Sequence, residues 1–70
     1  MSSSQMEAYC RGEAAGDFET RPDYVAVAAA LPAVGGGYVA TGSVDRGTQG
    51  NPPIECRFDT LGRFEIYRRI

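Results

Sequence analysis

Ile54-Glu55-Cys56-Arg57-Phe58-Asp59-Thr60-Leu61-Gly62-Arg63-Phe64-Glu65-Ile66-Tyr67 is the stretch that decides the fold. Ile54, Cys56 and Phe58 alternate with Glu55, Arg57 and Asp59. After a Gly-containing break, Phe64 and Ile66 alternate with Arg63, Glu65 and Tyr67. Successive strand residues point to opposite faces, so each half carries one apolar and one charged side. The pattern predicts a β-hairpin turning at Asp59-Thr60-Leu61-Gly62, with Gly62 in a left-handed conformation. Its apolar side, which carries Cys56, needs a cover.

The cover lies at the other end of the chain. Met6, Tyr9, Cys10 and Ala14 recur at helical spacing, which predicts one helix over Ser4 to Ala15. Ser4 and Glu7 suit a capping box, Gly16 suits a C-cap, and Gly12 offers a close packing point. Residues 1–4 are expected to fray, and Phe18 to tuck under the sheet edge. Two further strands are predicted between the helix and the hairpin. Tyr24 to Leu31 places Val25, Val27, Ala29 and Leu31 on one face, and Tyr38 to Val44 places Tyr38, Ala40, Gly42 and Val44 together. Gly42 marks a bulge or a close approach to the helix. The turn through Gly35-Gly36-Gly37 and the loop from Asp45 to Pro53 connect them. Consecutive strands with short connections favour an antiparallel meander. The expected architecture is α+β: one N-terminal helix packed on a four-stranded antiparallel meander, two layers, one domain over residues 1–70.

Composition limits function more than it reveals it. The chain has 70 residues, a net charge of −2 and seven basic residues, every one an Arg, with no His, Lys or Trp. The Arg-, Ala- and Gly-rich usage resembles that of a GC-rich bacterial genome. No basic stripe points to nucleic acid. Without His, the commonest acid/base group and the commonest activator of a Ser or Cys nucleophile are missing. Zinc has two thiols at most. No catalytic residue, metal or cofactor is therefore assigned. The longest apolar run, Tyr24 to Leu31, is too short to span a membrane.

Cys10 and Cys56 are the only cysteines. An even count in a domain this small favours a disulfide in an oxidising compartment, and the alternative is two buried reduced thiols in a cytosolic protein. The opening Met-Ser-Ser-Ser-Gln has neither the basic nor the apolar region of a signal peptide. Two localisations follow: a periplasmic or secreted domain whose signal lies upstream, or a cytoplasmic protein.

At Tyr9-Cys10-Arg11-Gly12-Glu13-Ala14 and Glu55-Cys56-Arg57-Phe58-Asp59-Thr60-Leu61-Gly62-Arg63-Phe64 the chain resembles small uncharacterised exported bacterial domains, with a Cys-bearing helix and a Cys-x-Phe-Asp-x-x-Gly-x-Phe hairpin. The resemblance implies a helix-to-strand disulfide and export, and it carries over no catalytic residue. The coarse topology is also similar to PepSY-like and half-cystatin-like domains, often binding or inhibitory modules, which is analogy at the level of the fold.

The candidate contact residues are Tyr24, Tyr38 and Tyr67, expected on the sheet face away from the helix, and Arg46, Gln49 and Asn51 in the 45–53 loop. The charges of the hairpin read as cross-strand pairing on a solvated face. The expected partner is a protein, or a second copy joined through an open sheet edge. Three functions remain: a non-enzymatic binding module, a hydrolase inhibitor acting through loop 31–37 or 45–53, and, least favoured, a small enzyme without His chemistry.

Overall fold

A helix, α1 (Ser3–Asp17), lies across one face of an antiparallel sheet in the computed structural model, which describes residues 1–70. The strands are β1 (Val25–Val27), β2 (Leu31–Pro32), β3 (Tyr38–Val44), β4 (Pro53–Phe58) and β5 (Phe64–Arg69). Their order is β1-β3-β4-β5, with β2 also paired to β3, so β1 and β2 share one edge of β3, and β3, β4 and β5 follow in chain order. The expected two-layer α+β meander is this fold. Its first strand is divided in two, because β1 and β2 are separated by Ala28–Ala30. Alanine has little preference for a strand and Pro32 lacks an N–H, so the edge is weakly held there. Val25 is accordingly buried while Leu31, expected on the same face, is exposed.

The capping box of α1 lies two residues earlier than expected, at Ser2 and Gln5. Ser2 Oγ accepts from the Gln5 amide at 3.3 Å, and the Ser2 amide donates to Gln5 Oε1 at 2.7 Å. A Gln closes the box as well as a Glu does, and three consecutive serines leave its register open in the sequence. Ser2 is thereby the N-cap, and Ser3 and Ser4 lie in the first turn of the helix. The Met1 ammonium also donates to the Gly62 carbonyl at 3.1 Å. Met6, Cys10 and Ala14, each four residues apart, form the buried stripe. Gly12 faces open space rather than a packing contact, and Gly16 lies inside the last turn instead of capping it.

The core joins that stripe to Val25, Ala40, Val44, Ile54, Cys56 and Phe58. Cys10 and Cys56, both fully buried, are bonded to each other across a separation of 46 residues. Gly42 is a point of close approach, but to β1 and not to the helix: a Cβ there would meet the Ala26 carbonyl.

The hairpin contains one feature that alternation alone does not predict. Cys56 stands opposite Tyr67 and Arg57 opposite Ile66, yet Phe58 stands opposite Phe64, so β5 has one extra residue. This bulge switches the parity of β5. Phe64 stays on the helix side, where it meets Tyr9 at 4.8 Å between ring centroids. Beyond the bulge, Tyr67 takes the inward position and Ile66, expected inside, is half exposed. The turn itself forms as read: Gly62 has φ +77°, and Asp59 Oδ1 accepts from the Leu61 and Arg63 amides.

Candidate functional site

The end of α1 gathers side-chain hydrogen bonds from the 45–53 loop and from β5. The helix stops at Phe18, and the Thr20 amide donates back to the Ala15 carbonyl while the Glu19 amide donates to Gly16. This termination places its next residue in the left-handed region, a position usually held by glycine. Here it is Glu19, at φ +53°. We expect Glu19→Gly to stabilise the fold by about 0.5–1 kcal/mol, the left-handed cost less the added chain entropy of glycine. Urea denaturation measures this, and an unchanged or lowered midpoint would remove the strain.

An acid near a helix C-terminus faces the negative end of the helix dipole. Asp17 is in that position, and α1 has no basic residue in its last turn. The compensating charge comes from elsewhere in the chain. Arg69 of β5 donates from Nε to Asp17 Oδ2 at 2.7 Å, and its guanidinium lies 4.1 Å from the centre of the Phe18 ring. Arg46 donates from Nη1 to the Phe18 carbonyl at 3.0 Å, with its guanidinium 5.5 Å from the same ring. Tyr67 adds its hydroxyl to Asp17 Oδ2 at 2.7 Å. The bulge makes this last contact possible, because it brings Tyr67 and Arg69 to the helix side.

The hydrogen bonds from Arg69 and then Tyr67 hold the Asp17 carboxyl below its ordinary value of 3.8. Partial burial, then the hydrogen bond to Asp17 and its charge, push the Tyr67 phenol up from 10.0 to about 12. A depressed acid stabilises the fold above its unfolded value, and that stability is lost as pH falls through the folded value. A raised phenol stabilises the fold below pH 10, and that stability is lost between pH 10 and about 12. An ultraviolet titration is therefore expected to show a tyrosine step near pH 12 that Tyr67→Phe removes. A titration curve with no such step, or one unchanged by Tyr67→Phe, would contradict the contact.

An open cleft of about 700 Å³ lies beside this latch, lined by Asp17, Phe18, Glu19, Arg46, Gln49, Asn51, Pro52 and Arg69. Its floor is the helix end and its wall is the 45–53 loop. A short 3₁₀ turn, Gly47–Gln49, shapes that loop, which closes through the Arg46 amide on the Gly50 carbonyl at 2.9 Å. The loop is tied to the sheet where the Asp45 amide donates to the Tyr24 carbonyl at 2.7 Å. Arg46, Gln49 and Asn51 are thus brought together as a group.

The tyrosines are not. Tyr24 sits in a 3₁₀ turn before β1, half exposed. Tyr38 packs against the core on the helix side, and Tyr67 is bound to Asp17. Neither Tyr38 nor Tyr67 points away from the helix as expected. The position of Tyr38 follows from its sharing a face with Ala40 and Val44, and that of Tyr67 follows from the bulge. The opposite sheet face has instead a more buried acid than a solvated surface implies. Glu55 is 8% exposed, held by Arg57 at 3.1 Å and Arg68 at 2.9 Å, which keep its carboxyl below the usual range.

The sequence patterns single out none of Asp17, Phe18, Glu19 and Arg69 as site residues. One signal was available: an acid at a helix C-terminus with no base in the same turn calls for a cation from elsewhere. No helix of the chain is long and apolar enough to cross a membrane. No family model, curated protein or solved structure matches the chain.

Proposed function

We propose that the chain is a non-enzymatic binding module, exported from a bacterial cell, that contacts a macromolecular partner through the cleft between the 45–53 loop and the end of α1. The observation that carries the reading is convergence. Three loop residues with no sequence neighbour in the helix, Arg46, Gln49 and Asn51, line one concavity with Glu19 and Arg69. Loops held by a rigid frame are where binding residues concentrate. The disulfide and the Arg46 contact to the helix supply that frame. The bond between Cys10 and Cys56 supports export, since such bridges persist in oxidising compartments, and the resemblance to small exported bacterial domains supports the same origin.

Asp17, Glu19, Arg46 and Arg69 do line a concave site, so the enzyme reading turns on what these groups can do. Asp17 is a poor proton acceptor, because Arg69 and Tyr67 stabilise its charge. The Tyr67 phenol, at about 12, is a poor proton donor at neutral pH. Both properties favour binding over catalysis. The inhibitor reading has one observation in its favour: Val34, at the tip of the 31–37 turn, is fully exposed.

A displayed random-peptide library selected on the oxidised protein separates these readings. Selected binders are expected to lose about tenfold or more in affinity on Gln49→Ala with Asn51→Ala, and little on Arg57→Ala or Val34→Ser. Binders insensitive to the loop changes but sensitive to Val34→Ser would transfer the site to the 31–37 turn.

A further inference from the structure

We propose that the cleft recognises an extended polypeptide through a single carboxylate, seated on Arg46. The inference rests on the binding reading above and names the chemistry that the site selects. Of the two cations in the cleft, Arg69 is already neutralised by Asp17 at 2.7 Å. Arg46 has no carboxylate partner, and its one side-chain hydrogen bond, from Nη1, goes to the neutral Phe18 carbonyl. That bond and the Phe18 ring fix the guanidinium without satisfying its remaining donors. A carboxylate is the ligand group that takes such a fork in two parallel hydrogen bonds. Little ordering remains to be done on binding, because the side chain is held beforehand.

The rest of the cleft narrows the class. Gln49 and Asn51 line the wall next to Arg46, both exposed, and neither side chain bonds within the chain. Each carboxamide offers donors and an acceptor, the set that peptide N–H and C=O groups require. Glu19 lines the same cleft, and its carboxylate has no cation partner. It repels a second negative charge, which sets the site against phosphates, polyanions and di-acidic segments. It also offers a seat to a cation on the same ligand. The Phe18 ring is the cleft's one large apolar surface, already occupied by two guanidinium groups, so apolar anchoring plays a small part.

The carboxylate can come from an acidic side chain or from a chain terminus, and defined peptides distinguish the two. The probes are four blocked alanine pentapeptides with an amidated end, carrying at the centre one glutamate, one glutamine, two adjacent glutamates or no substitution. A fifth pentapeptide, all alanine, has a free C-terminus. Binding is followed by the side-chain amide signals of Gln49 and Asn51 and the guanidinium signals of Arg46 in ¹⁵N-edited spectra. The single-glutamate or the free-terminus peptide is expected to bind about tenfold more tightly than its neutral counterpart, the scale of one charge-assisted hydrogen-bond pair. Whichever binds tighter identifies the source. Arg46→Gln should abolish that preference. Glu19→Gln, an exposed position that leaves the fold intact, should remove the penalty on the di-glutamate peptide.

Equal binding of the glutamate and glutamine peptides, together with equal binding of the free-terminus and amidated alanine peptides, at the same signals would overturn the carboxylate inference and leave the cleft as the binding surface. Shifts confined to residues outside the cleft would overturn both. A di-glutamate peptide already favoured by the unmodified protein would overturn the role given to Glu19.

Discussion

Removing the Cys10–Cys56 bond is expected to lower stability by about 4 kcal/mol, the loop-closure entropy for a separation of 46 residues. That matches most of what a single core of this size can supply, so the reduced chain should be largely unfolded at physiological temperature. The bond joins the middle of α1 to the middle of β4, and both sulfurs are completely buried. Reductant therefore reaches it only through opening of the fold, and reduction should be slow until denaturant is added. The comparison to make is the native chain against Cys10→Ala with Cys56→Ala, which leaves no free thiol. Far-ultraviolet circular dichroism should show loss of cooperative melting in the variant. Equal midpoints would mean that the helix and sheet hold each other without the bond.

The second large effect belongs to Phe58, the largest of the fully buried side chains at 1% exposure. Its ring meets Tyr9 edge-on at 6.5 Å and Phe64 at 5.9 Å, so it joins α1, β4 and β5. Phe58→Ala removes that volume next to a disulfide-fixed backbone that cannot readily collapse around the gap. A loss of about 3–5 kcal/mol is expected in urea denaturation of the oxidised protein. Phe64→Ala, at a half-buried position, should cost clearly less. The reverse order would place the centre of the core at β5 rather than at β4.

Much of the fold was legible because its signals are local. Alternation from Ile54 to Phe58, helical spacing of Met6, Cys10 and Ala14, and Gly62 at the hairpin turn each rest on a few neighbouring residues. The misreadings come from effects that local patterns do not carry. One extra residue in β5 exchanged the faces of Ile66 and Tyr67, and nothing in Arg63-Phe64-Glu65-Ile66-Tyr67 marks where a bulge falls. The Ala28–Ala30 run reads equally as a continued strand, and the break there depends on how weakly the edge is held. Gly42 reads as a bulge or a close approach to the helix, but its close neighbour is the β1 backbone, which only the register reveals.

The site divides in the same way. Arg46, Gln49 and Asn51 were legible as a polar loop. Asp17, Phe18, Glu19 and Arg69 join them only because the end of α1, the loop and the last strand meet in space, across separations as long as 52 residues. That junction also explains why a short surface loop can be well defined. Its Arg46 completes the helix end, so the loop and the helix order each other.

The footprint of a selected peptide binder on the oxidised protein tests the central claim most directly, by amide chemical-shift mapping or hydrogen exchange. The account predicts changes at residues 17–19, 46–52 and 69, with the 31–37 turn and the Glu55 face of the sheet unaffected. A footprint on Leu31 to Gly37, or on Val39, Arg57 and Ile66, with the helix end unchanged, would contradict it.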